Sequence, residues 1–101
     1  MPELYFHVRW PDGETQRCYS PSTVIEDYLT PGGVYELGDF VARSRTALGI
    51  ASDRVREKYG FACTGASGQL ALIEKTAAVY ASLDGARVTV EALRNADGST
   101  R

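Results

Sequence analysis

Apolar and polar residues alternate from the start of the chain. In MPELYFHVRW, Leu4, Phe6, Val8 and Trp10 fall on one side and Tyr5, His7 and Arg9 on the other, the two-residue period of a half-buried β-strand. The run ends in WPDGE. Pro11 presets the backbone for the first central position of a type I turn, Asp12 tolerates the second, and Gly13 accepts the left-handed position that follows. A three-residue hairpin loop with a glycine bulge is therefore predicted. Its register sets Trp10 opposite Glu14, Val8 opposite Gln16 and Phe6 opposite Cys18. Cys18 then shares the inner face, while Tyr5, His7, Arg9, Thr15, Arg17 and Tyr19 occupy the outer one.

CYSPSTVIEDYL, residues 18–29, reads as a helix start rather than a catalytic elbow. Ser20 before Pro21 suits an N-cap followed by the first helical residue, and Thr23 with Glu26 offers a capping box further on. Thr30-Pro31 stops this helix, and PGG at 31–33 is a loop. The strongest helical period follows, from about Leu37 to Tyr59. Leu37, Val41, Ser44, Leu48, Ala51, Val55 and Tyr59 recur at three- and four-residue steps, with Phe40 widening the stripe. Asp39 serves as N-cap or first-turn acid, and Gly60 as the stop. Arg43, Arg54 and Lys58 flank one side of the stripe, Arg45 and Arg56 the other. Such bordering cations are read first as solvated rims whose stems cover the core edge.

After the glycine- and serine-rich FACTGASGQ, helical period resumes with Leu70, Ile73, Ala77 and Tyr80 on one side and Leu72, Val79 and Leu83 close by. Asp84-Gly85 signals a turn. ARVTVEAL alternates again, with Ala86, Val88, Val90 and Ala92 inward and Arg87, Thr89 and Glu91 outward. The order strand, strand, helix, long helix, helix, strand predicts an α+β domain. Its antiparallel or mixed three-stranded sheet combines the N-terminal hairpin with the C-terminal strand, and two to three helices cover one face. Residues 1–94 form this single domain, and 95–101 a flexible polar tail.

Composition narrows the function classes. The 101 residues are 44% hydrophobic and 24% charged, with a formal net charge of -2, which sets nucleic acid and anionic membranes aside as general partners. No apolar run reaches the roughly 20 residues of a bilayer span, and the N-terminus lacks a signal-peptide layout, so a cytoplasmic protein is expected. Cys18 and Cys63, the two cysteines, are expected reduced and unbridged. A zinc site would have to gather both with His7, the one histidine, and a carboxylate, without the local ligand pairs of familiar sites. No phosphate-cradling loop, dinucleotide fingerprint, paired histidines or nucleophile elbow is present. His7 is read as a surface histidine, and no catalytic residue, metal or cofactor is predicted. Six tyrosines, together with arginines, match the residue types of binding hot spots. The candidate interaction or pocket residues are Cys18, Tyr19, Tyr28, Arg43, Arg45, Arg54, Tyr59 and Cys63.

VRWPDG, CYSPSTVIEDYL, DFVARSRTALGIASDRVREKYGFAC and ARVTVEAL together resemble the small bacterial nitrogen starvation response family encoded beside a nitrilase, from Met1 to about Leu93. The resemblance implies a gene cluster for a nitrilase, a radical-SAM protein, an acetyltransferase, a synthase-like protein and a flavoprotein, associated with nitrile or cyanide nitrogen scavenging. It brings no established catalytic residues. TGASGQL is richer in glycine than expected there, so that helix is expected to start late. Two functions follow. One is a non-catalytic accessory protein that binds a nitrilase-cluster enzyme or its own copy, with a homodimer through a sheet edge as one form. The other is a small-molecule-binding or minor catalytic subunit with a pocket between sheet and long helix.

Overall fold

A computed structural model describes residues 3–61 and 64–100. The chain runs through β1 (Leu4–Arg9), β2 (Thr15–Ser20), a 3-10 turn (Thr23–Asp27), β3 (Val34–Glu36), α1 (Leu37–Tyr59), α2 (Thr64–Val79) and β4 (Arg87–Asn95). The fold is α+β, as expected, but the sheet has four strands in the order β2-β1-β4-β3, each pair antiparallel. The extra strand, β3, is three residues long and runs straight into α1. A strand so short shows no periodicity of its own. It moves β4 from the edge of the sheet to its interior.

The hairpin keeps the expected register, with Phe6 opposite Cys18 and Val8 opposite Gln16. The Trp10 amide donates to the Glu14 carbonyl at 2.7 Å and the Gly13 amide to Trp10 at 2.9 Å. Gly13 sits at φ +93°, a value that glycine reaches without strain. The Asp12 carboxylate accepts from the Glu14 amide at 2.9 Å and locks the turn.

β4 departs from simple alternation. Val8 pairs with Val90 but His7 with Ala92, so Glu91 is an extra residue in the ladder, a β-bulge. The bulge inverts the phase beyond it. Leu93 turns into the core opposite Phe6, and Ala92, expected inward, stands on the outer face opposite His7.

Between β2 and Pro31 the chain forms only a 3-10 turn, Thr23–Asp27, rather than an α-helix, and its N-cap is Ser22. Neither expected cap position holds. The Ser22 hydroxyl accepts from the Val24 amide at 3.3 Å, while the Ser20 hydroxyl donates to the Ser22 carbonyl at 2.6 Å. These short serine bonds offer the backbone an alternative to a full helical turn. Beyond Pro31, the Gly32 amide donates to Val90 at 2.7 Å and the Val90 amide to Gly33 at 2.9 Å, joining the loop to β4. A Cβ on Gly33 would lie 2.8 Å from the Tyr35 hydroxyl and 2.9 Å from the Thr30 carbonyl, so the approach requires glycine.

α1 spans the expected residues and ends at Gly60 in the left-handed region. Its cap position is Glu36, without a side-chain cap bond, and Asp39 is the first-turn acid. Phe40, Ala47, Leu48 and Ala51 are buried, and the first three join residues of β1 and β4 in one core cluster. α2 begins at Thr64, earlier than its glycines predict. Gly65 and Gly68 each cost roughly 1 kcal/mol against alanine. Burial of Ala66 and a hydrogen bond from the Tyr19 amide to the Gln69 side chain, 2.9 Å, offset that cost. The same bond covers part of the β2 edge, an unpaired row that would otherwise face water. The core is closed at one end by aromatic rings. Trp10 meets Phe40 edge-on at 5.6 Å and stacks on Tyr80 at 5.9 Å, geometries favoured between ring quadrupoles.

Candidate functional site

Of the eight residues singled out from the sequence, the seven that are described do not form one site. Cys18 is fully buried beside Phe6, and burial pushes its thiol up to about 12, far from thiolate chemistry at neutral pH. Cys63 lies outside the described residues. Arg43 is a brace. Its guanidinium pairs with Asp39 at 3.0 Å, donates to the Tyr28 carbonyl at 2.9 Å and lies 5.0 Å from the centre of the Tyr35 ring. It therefore fastens α1 to the 3-10 turn and to β3, with Tyr28 supplying an acceptor. Arg54 makes a similar tie, donating to the Ser22 hydroxyl at 3.2 Å. Arg45 pairs with Glu74 at 3.1 Å and joins α1 to α2. These arginines tie α1 to the 3-10 turn, β3 and α2.

Tyr59 belongs to a different surface. It is exposed at the end of α1, with its ring 6.2 Å from that of Phe61 and the Lys58 ammonium 5.6 Å above it. Phe61 is 65% exposed, and on α2 Leu72 is 54% and Val79 72% exposed. Leu72 and Val79 are seven residues apart and share a helical face. On α2, Ile73 and Ala77 enter the core, while Leu72 and Val79 meet solvent on a face that also carries Lys75 and Thr76.

The core between sheet and α1 holds Phe6, Val90, Phe40 and Leu48, and open recesses of about 420 and 370 Å³ lie at the start of α1, lined by Leu37 with Ala86 and by Asp39 with Arg87. A smaller recess of about 140 Å³ lies on the uncovered outer face, lined by Tyr5, His7, Arg17 and Arg94 with the Ala96–Gly98 turn as a wall. Strand pairing assembles it. Arg17 stands opposite His7 across β1 and β2, and Arg94 opposite Tyr5 across β1 and β4. Tyr19 completes the Tyr5 row, the two rings 5.7 Å apart. Arg94 donates to Thr100 at 3.2 Å and to the Gly98 carbonyl at 3.4 Å, so the residues after β4 fold back against it. Partial burial, then Arg94 and Arg17, lower the His7 pKa from 6.5, against an opposing pull from Glu91. The imidazole is neutral at pH 7 in a locally positive field.

The hairpin register already set His7 beside Arg17. Arg94 was missed because its position depends on β4 pairing with β1 and on the bulge at Glu91. Among the described residues, no three histidine, cysteine or acidic side chains are grouped to hold a metal ion, and no helix is long and apolar enough to cross a membrane.

The family model for the nitrogen starvation-induced protein NitG matches residues 5–93, a span that holds β2 to α2 and nearly all of β1 and β4. No curated protein and no solved structure matches the chain.

Proposed function

We propose that the chain, which belongs to the family of the nitrogen starvation-induced protein NitG, acts in that response as a non-catalytic accessory protein, docking on an enzyme of a nitrilase cluster that scavenges nitrogen from nitriles or cyanide. The supporting observation is the outward apolar surface of α2 and the end of α1. Leu72, Val79 and Phe61 are each more than half exposed, although α2 already buries a full face against the core. Large apolar side chains left in solvent on a helix favour a partner surface. The buried, high-pKa Cys18 thiol weighs against the alternative of a minor catalytic subunit built around that residue.

Affinity purification of the tagged chain from nitrogen-starved cells tests this reading. Near-stoichiometric recovery of the nitrilase or another cluster enzyme is expected, and its loss when Leu72 and Val79 are both changed to glutamate. Elution of the native chain without any such enzyme refutes it. If sedimentation shows only a dimer that survives those substitutions, pairing through the β3 edge takes its place.

A further inference from the structure

Arg17 and Arg94 both line the outer-face recess, and neither forms an ion pair with a carboxylate among the described residues. Arg17 is exposed, and among the described residues its recorded contact is the Tyr5 ring, 4.6 Å from the guanidinium carbon. Resting on an aromatic face leaves in-plane N–H donors for another group. Arg94 is held by neutral oxygens of Gly98 and Thr100, which fix its position but leave its charge in place. Of the nearby acids Glu91 is neutralised by an arginine, whereas Asp97, in the turn beside the recess, keeps its charge and is held by Ser99. Glu91 pairs with Arg9 at 3.1 Å, and Asp97 accepts from the Ser99 amide at 2.9 Å and its hydroxyl at 2.6 Å.

The backbone also keeps the recess open. The bulge at Glu91 places only the Ala92 methyl opposite His7, where uninterrupted pairing would set a larger charged side chain. Bulges recur where a strand must re-aim its side chains beside a site. The chain as a whole carries a net charge of -2, so this local concentration of cations runs against the average field.

We propose that the recess between Arg17 and Arg94 binds a small oxyanion, the carboxylate or phosphate group of a metabolite, with His7 and Tyr5 completing its wall. Guanidinium forks match either group through paired N–H···O bonds, and about 140 Å³ admits a few heavy atoms. The site lies on the sheet face away from the helical layer. It is independent of docking through α2.

The test is a titration of the full-length, 15N-labelled chain with inorganic phosphate and, separately, acetate, ionic strength being held constant with sodium chloride. Saturating amide shifts are expected at Tyr5, His7, Arg94 and Gly98, and the anion that saturates at lower concentration identifies the group. Arg17→Met, at an exposed position, should weaken binding at least about tenfold, the loss of one charge-assisted hydrogen bond. Arg94→Met should do the same, its fold being checked from the same spectra. Arg45→Met, which removes the same charge from the helical layer, should leave affinity unchanged. Shifts that rise linearly with both anions overturn the proposal. So does saturation that survives Arg17→Met, or an equal loss in Arg45→Met.

Discussion

The two faces of the sheet are built from the same strands and do opposite work. On the inner face Leu4, Phe6, Val8 and Cys18 are all inaccessible to solvent, in a mainly apolar core that also holds the buried Ser20 opposite Leu4. On the outer face Tyr5, His7, Arg17 and Tyr19, the residues between them, remain partly or fully exposed and lie near rings, cations and a recess. One residue of offset separates the two sets. The stabilising free energy is concentrated on one side and the polar chemistry on the other, so substitutions should sort by parity of position rather than by residue type.

The sharpest break of that comparison is Phe6→Ala. Removing a fully buried ring that packs among Leu93, Cys18 and the helical layer should cost about 3–5 kcal/mol, a large share of the roughly 5–15 kcal/mol typical of a domain. Arg17→Met, on a neighbouring strand but the outer face, should stay within about 0.5 kcal/mol. Urea unfolding followed by fluorescence reads both, since Trp10 is the one tryptophan and is buried. Equal losses would mean that the outer face is covered, by a partner or by a second copy.

Cys18 sharpens the same contrast chemically. In a Cys63→Ser background it should resist iodoacetamide in the folded protein at pH 8 and react once urea unfolds it, because burial holds the thiol at about 12. Cys18→Ser should cost about 1–3 kcal/mol by burying a hydroxyl among apolar side chains. Rapid native labelling would place Cys18 in an opening of the core. The next effect is smaller. Arg43→Ala removes an exposed ion pair of little worth and one charge-assisted bond to the Tyr28 carbonyl, together about 1–2 kcal/mol. Protection of the amides around Tyr28 and Tyr35 against hydrogen exchange should fall with it, since both elements lose their brace.

What could be foreseen follows the range of the forces involved. The hairpin, its register and α1 are local: Pro11, Asp12 and Gly13 specify a turn, and Phe40 to Val55 repeat often enough to declare a helix. β3 has no such repetition and exists because the Gly32 and Gly33 backbone reaches Val90. α2 begins at Thr64 despite its glycines because Ala66 and Gln69 find tertiary partners, a gain invisible to propensity. The candidate residues divide the same way. Tyrosine and arginine counts suggested one interaction surface, whereas Arg43, Arg45 and Arg54 are consumed by contacts within the helical layer. The basic recess needs Arg94 beside Tyr5, which only the β1–β4 register supplies.

The smallest expected effect distinguishes the outer face most finely. His7 faces Arg17 from β2 and Arg94 and Glu91 from β4, and its folded-state pKa lies below 6.5. Above pH 7 both folded and unfolded chains hold it neutral, and it contributes no pH dependence. As the pH falls through 6.5 the unfolded chain takes up a proton that the folded chain resists, so stability declines toward the lower folded value. His7→Gln should therefore match the native chain above pH 7 and decline less between pH 6.5 and 5, the remaining slope belonging to the carboxylates. A proton NMR titration of the imidazole should give a midpoint below 6.5, and added inorganic phosphate should raise it if the anion lies beside the ring. A midpoint above 6.5 without phosphate would mean that Glu91, and not the two arginines, sets the field on this face.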